Sequence, residues 1–138
     1  MKSLVVIDDE SIVIQGIKAI IDRLNLNVTL VDYATNGLDG RDVIRARKPD
    51  IVTTDIRMPG MDGLSMIEEL RNELANTKFI IISGYTDFVY TKQAIQLDVV
   101  DYIDKPITIE KIKSVFEEID KKEINSKRSD LIDPNPSD

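Results

Sequence analysis

Asp8-Asp9-Glu10, Asp55, Ser83-Gly84 and Asp104-Lys105-Pro106 are the places in this 138-residue chain where side chains could do chemistry together. Each follows a short apolar or β-branched run: Leu4 to Ile7, Ile51 to Thr54, Phe79 to Ile82 and Val99 to Ile103. Singly, each has a plain structural explanation. An acid pair before a helix stabilises the helix N-terminus by roughly 0.3–1 kcal/mol. A lone Asp or Ser after a strand is commonly a turn residue, and a lone lysine is commonly a solvated charge. Capping does not explain why acids, a hydroxyl and a lysine all fall at the ends of such runs. Crowded carboxylates repel one another, and a divalent cation relieves that repulsion. The chain has no histidine and no cysteine, so only hard oxygen ligands remain, which select Mg²⁺, Mn²⁺ or Ca²⁺. A carboxylate can also act as a nucleophile and form an aspartyl phosphate. In that reaction Lys105 offers a point charge to phosphate, Ser83 offers a hydroxyl hydrogen bond, and metal and lysine together neutralise charge in a loose transition state.

For these residues to meet, the runs must be strands of one sheet. Leu4 to Ile7 reads as a strand buried on both faces. From Ser11, the apolar residues Val13, Ile17, Ile20, Ile21 and Leu24 mark one face of a helix. Val28 to Ala34 is a second strand, and Asn36-Gly37 punctuates the chain. A helix over Leu38 to Arg47 stops at Pro49. Ile51 to Thr54 is the third strand, followed by breaks at Pro59-Gly60 and Asp62-Gly63. The spacing predicts helices over Leu64 to Leu74 and, with a weaker apolar stripe, Phe88 to Leu97. Phe79 to Ile82 and Val99 to Ile103 are the fourth and fifth strands. Ile109, Ile112, Val115, Phe116 and Ile119 mark a last amphipathic helix. Successive βα units imply parallel strands with right-handed crossovers. The expected fold is α/β: a flavodoxin-like, doubly wound parallel sheet of order 2-1-3-4-5, whose sites form at the carboxyl ends of the strands.

Composition narrows the remaining classes. The length fits one domain, expected over residues 1–122, and the polar stretch 123–138 reads as a linker or disordered tail. The net charge of −7 offers no basic surface for direct nucleic-acid binding. No run approaches the ~18 apolar residues of a membrane span, so a cytoplasmic protein without membrane contact is expected. Lacking histidine, the chain cannot be its own phosphohistidine donor. Met58 and Met61 read as loop packing, and Tyr85 and Phe88 as either core or signalling surface.

Val6-Ile7-Asp8-Asp9-Glu10, Asp55 through Gly63, Ser83-Gly84 and Lys105-Pro106 stand in the order found in the receiver domains of bacterial response regulators, which the chain resembles over roughly residues 2 to 122. The resemblance implies that Asp55 is phosphorylated by a sensor histidine kinase. It implies Asp9, Asp55 and the Arg57 backbone carbonyl as ligands of Mg²⁺ (Mn²⁺ possible), with Asp8 acting through water. Ser83 aligns with the switch hydroxyl, Tyr102 with the aromatic switch residue, and Lys105 with the phosphate-pairing lysine. A cis bond before Pro106 is common in the family. A receiver catalyses its own phosphorylation and dephosphorylation, so it is an enzyme only loosely. The segments Ser83 to Tyr90, Val100 to Tyr102 and Lys105 to Ile107 look like receivers that precede AraC-type DNA-binding domains, implying transcriptional output and homodimerisation on phosphorylation. Asp98 departs from the glycine usual there, where a positive φ is costlier for other residues. Other readings are a stand-alone receiver acting by protein contact, a flavin carrier and an Asp-nucleophile phosphohydrolase. The flavin carrier needs a Ser/Thr/Gly-rich loop where Asp8-Asp9-Glu10 stands, and the phosphohydrolase needs an acid where Arg57 stands.

Overall fold

The computed structural model describes residues 1–84 and 88–132, with residues 123–132 described by backbone alone. The strands are β1 (Lys2–Ile7), β2 (Val28–Ala34), β3 (Ile51–Thr54), β4 (Lys78–Ser83) and β5 (Asp101–Asp104). The helices are α1 (Ser11–Leu24), α2 (Gly37–Arg47), α3 (Gly63–Leu70), α4 (Phe88–Gln96) and α5 (Ile109–Ile132). All strand pairs are parallel, in the order β2-β1-β3-β4-β5, which is the flavodoxin-like order expected.

Side chains alternate across a strand, so a run buried along its whole length must feed two cores. Leu4 and Val6 join Ile80, Ile82 and the inner faces of α1 and α5 through Ile17, Ile21, Ile112 and Phe116. Val5 and Ile7 join Val52, Ile81 and the helices α2, α3 and α4 through Ile44, Ile67, Leu70 and Ala94. Helices on both faces explain why the central strands read as continuous apolar runs rather than as alternations.

The starts of α2 and α3 obey capping chemistry. Asn36 accepts a hydrogen bond from the Asp39 N–H at 2.8 Å, and Asp62 accepts one from the Ser65 N–H at 2.8 Å, so the two Asx-Gly breaks are the caps of α2 and α3. The end of α4 answers the question raised by Asp98. Its φ is 58°, its N–H donates to the Ile95 carbonyl, and the Val99 N–H donates to the Ala94 carbonyl. This is a Schellman ending with aspartate in the left-handed position. It uses the Val99 N–H, and β5 accordingly begins at Asp101 rather than at Val99. α3 leaves regular helix at Leu70, earlier than the periodicity suggests. α5 is continuous to Ile132, ten residues past Lys122 where the composition turns polar. Lys, Glu and Arg are good helix formers, so loss of an apolar stripe is not loss of a helix. Residues 133–138, the end of the expected tail, lie outside the described residues, as does Tyr85. Phe88 is exposed, and Met58 and Met61 pack against the core on the α2–α4 side.

Candidate functional site

The backbone brings the chemical residues together by carrying the ladder one step beyond each strand. The Asp8 N–H donates to the Ala34 carbonyl, the Asp55 N–H to the Ile7 carbonyl, and the Lys105 N–H to the Ser83 carbonyl, each at 3.0 Å. Asp8, Asp55 and Lys105 are therefore placed by the sheet itself, not by flexible loop. Asp55 and Ser83 are buried, and so is Asp8, while Asp9 and Glu10 are exposed.

Carboxylate oxygens of Asp8, Asp9, Glu10 and Asp55 all lie within 4.8 Å of one another. The Lys105 ammonium enters this group. Its Nζ donates to Asp55 Oδ2 at 2.7 Å and Glu10 Oε1 at 2.8 Å, and pairs with Asp8 Oδ2 at 3.1 Å. Four acids thus face one cation. Burial pushes the Asp8 carboxyl up to about 6, although a hydrogen bond from the Glu10 N–H and the nearby Lys105 work the other way. Burial also opposes the charge on Lys105, but its hydrogen bonds to Asp55, Glu10 and Asp8 outweigh that and hold it well above the usual lysine range. Asp55 Oδ1 accepts from the Ile56 N–H at 2.6 Å, which leaves Oδ2 directed at the lysine.

The loop after β3 is fixed on the far side. The Gly63 N–H donates to the Ile56 carbonyl at 2.7 Å. A β-carbon at Gly63 would lie 1.9 Å from the Asp55 carbonyl oxygen, and one at Gly37 would lie 1.9 Å from the Met61 carbonyl oxygen. The exposed Arg57 side chain reaches α4, where its Nε donates to the Tyr90 hydroxyl at 3.1 Å and its guanidinium carbon stands 5.6 Å from the ring centre. Ser83 is the last residue of β4. Register places Tyr102 beside Ile81 and Asp104 beside Ser83, so Ser83 and Tyr102 share one face of adjacent strands. Tyr102 is half-buried there.

Asp8, Asp9, Asp55, Ser83 and Lys105 thus lie at or beside the carboxyl edge of the sheet, whereas Asp98 lies before the start of β5. Glu10, named in the sequence with the acid pair but given no role of its own, is a partner of Lys105, and Gly63, which reads in the sequence as a mere chain break, packs against the Asp55 carbonyl. The oxygen-only donor set, crowded around one ammonium, fits a hard divalent cation such as Mg²⁺. Asp8, Asp9, Glu10 and Asp55 are the acids close enough together to hold it.

A doubly wound sheet with such an acid-and-lysine pocket at its carboxyl edge is the arrangement that the sequence resemblance to receiver domains leads one to expect. Residues 4–117 match the model of the response regulator receiver domain, and the chain belongs to that family, as a receiver domain of two-component signalling. Over 119 residues it is 37% identical to the uncharacterized transcriptional regulatory protein YesN of Bacillus subtilis (strain 168), covering 86% of this chain and 32% of YesN. Over 107 residues it is 36% identical to the transcriptional regulatory protein HptR of Staphylococcus aureus (strain N315), covering 78% of this chain and 42% of HptR. The chain thus spans less than half the length of both regulators. Among solved structures it is similar to the REC domain of AraT, a response regulator from Geobacillus stearothermophilus. That match has a TM-score of 0.83 at 31% identity and covers 91% of this chain and 98% of the other. Among the described residues, no helix is long and apolar enough to cross a membrane.

Proposed function

We propose that Asp55 accepts a phosphoryl group from the phosphohistidine of a sensor kinase, in a Mg²⁺-dependent reaction, and that the resulting switch controls transcription. The observation that carries this reading is the Lys105 ammonium, 2.7 Å from Oδ2 of a buried aspartate. Asp55 Oδ2 attacks phosphorus while the bond from phosphorus to the imidazole nitrogen breaks, and the donor histidine leaves as neutral imidazole once protonated. Lys105 stays beside the acceptor oxygen and pairs with the incoming phosphoryl oxygens. Asp9, Asp55 and the Arg57 carbonyl would hold Mg²⁺, with Asp8 behind them. When bound, the cation supplies positive charge beyond the single Lys105 ammonium that the clustered acids already face. Water later hydrolyses the acyl phosphate, which resets the switch.

The readout runs through Ser83 and Tyr102. When the Ser83 hydroxyl turns toward the phosphoryl group it vacates space on the face that Tyr102 shares, and packed interiors do not leave such space empty without cost. α4 is loosely seated: Ala94 is its buried residue, while Phe88, Val89 and Ile95 are largely exposed. Docking of this kind is easily shifted, and the exposed apolar side chains suit homodimerisation through α4, β5 and α5. The relatives are longer and are named transcriptional regulators, which supports an AraC-type DNA-binding domain as the output and a cytoplasmic setting. The test is phosphorylation with acetyl phosphate, with and without Mg²⁺. Mass should rise by one phosphoryl group only when Mg²⁺ is present, and Asp9→Ala should slow the reaction while preserving the fold. Equal yield without any divalent cation would reject the metal-dependent reading.

A further inference from the structure

Lys105 stands one residue past β5 and is held by the sheet on one side only, through its N–H to the Ser83 carbonyl, and a residue with no role assigned so far ties down the other side. Lys111, half-buried on the first turn of α5, donates from its Nζ to the Asp104 carbonyl at 3.0 Å and to the Pro106 carbonyl at 3.1 Å. These two carbonyls bracket Lys105. The carbonyl of Asp104 and the N–H of Lys105 belong to one peptide and point in opposite directions. The N–H is held by the Ser83 carbonyl of β4 at 3.0 Å. The carbonyl faces the open side of β5, the edge strand of the sheet, where no strand among the described residues pairs with it. Lys111 takes that place. Pro106 has no N–H to offer, so its carbonyl is the polar group through which the following turn can be tied down. Lys111 is itself fixed, because its backbone N–H donates to the Thr108 hydroxyl at 3.2 Å at the start of α5.

We propose that Lys111 is a positioning residue for phosphoryl transfer: it clamps the peptide that carries Lys105 and so aims the ammonium at Asp55. The proposal rests on the reading of Lys105 as the phosphate-pairing lysine. Lys111 touches none of the four acids, so its role is separable from metal binding. A purely structural cap would affect stability without affecting the chemistry selectively.

Lys111→Met keeps the aliphatic stem and removes the donors, whereas Lys111→Arg keeps donors that can reach both carbonyls. With acetyl phosphate, Lys111→Met should be phosphorylated about 3- to 10-fold more slowly, the scale of loss expected from a small misplacement of a reacting group. Divalent affinity, measured with Mn²⁺ as the probe, should stay within about twofold because no ligand has moved. Lys111→Arg should restore most of the rate. In the unphosphorylated protein the Lys105 amide should exchange faster in Lys111→Met than in wild type, which reads the clamp directly. A Lys111→Met rate equal to wild type, a proportionate loss of Mn²⁺ affinity, failure of Lys111→Arg to restore the rate, or unaltered Lys105 exchange would each overturn the proposal. If wild type itself takes no phosphoryl group, the Asp55 reading falls and Lys111 falls with it. If wild type is phosphorylated and Lys111→Met behaves identically, only the Lys111 proposal is lost.

Discussion

Gly63 stands so close to Asp55 that a β-carbon on the glycine would lie 1.9 Å from the aspartate's carbonyl oxygen. The contact is with backbone, which cannot swing aside as a side chain can. Gly63→Ala must therefore displace the segment that presents Asp55. A cost of about 2–3 kcal/mol is expected, at the upper end for overpacking. Chemical denaturation should show it, together with impaired phosphorylation. A variant as stable as wild type would mean that the loop after β3 has slack.

The Lys105 ammonium and a bound divalent cation neutralise the same carboxylates. Without metal, Lys105→Ala leaves Asp8, Glu10 and Asp55 without their shared partner and should cost roughly 2–4 kcal/mol. Saturating Mg²⁺ should then raise the melting temperature of Lys105→Ala by more than it raises that of wild type. Thermal melts of both proteins with and without Mg²⁺ make the comparison. A smaller Mg²⁺ shift in the variant would place the cation away from this cluster.

Burial pushes the Asp8 carboxyl up to about 6 from an ordinary value of 3.8. Between those values the folded state retains a proton that the unfolded chain has released, so Asp8's contribution to stability falls as pH rises through this window. It is fully present below about pH 4 and lost above about pH 6. Asp8→Asn has no such loss. In metal-free buffer its advantage over wild type should grow from pH 4 to pH 6 and then level off, reaching about 1–2 kcal/mol after allowance for screening at the open mouth of the site. A difference that is flat across this range would show that Asp8 is ionised throughout.

Asp98 closes α4 in the left-handed region at φ 58°. Aspartate tolerates that conformation better than alanine does. Asp98→Ala should cost about 1 kcal/mol, whereas Asp98→Gly should be neutral or stabilising. Melting curves of the two variants settle the order, and an alanine variant at least as stable as the glycine variant would contradict it.

The fold was legible because its signals are local. Apolar runs, helical periodicity and Asx-Gly breaks each report on a few neighbouring residues, and together they imply the strand order. Asp8, Asp55, Ser83 and Lys105 were legible as a group because topology places every strand end on one edge. What stayed hidden depends on distance in the folded chain. Gly63 looks like any chain break until the Asp55 carbonyl is seen against it. Tyr90 gives no sign in the sequence that it receives Arg57. Lys111 looks like a solvated helix charge until the open edge of β5 is known to need a donor. The length of α5 was hidden for another reason, since beyond Lys122 helix propensity remains while the amphipathic stripe that advertises a helix does not.

The central claim is that Asp55 Oδ2 takes up phosphorus beside Lys105. Borohydride reduces an acyl phosphate to an alcohol and would convert a phosphorylated aspartate to homoserine, leaving a permanent mark at the modified position. After treatment with acetyl phosphate and Mg²⁺, then borohydride, peptide mass spectrometry should find homoserine at position 55 in wild type. Asp55→Asn should carry no such mark. Homoserine at position 8 or 9 instead, or in Asp55→Asn at wild-type yield, would contradict the account.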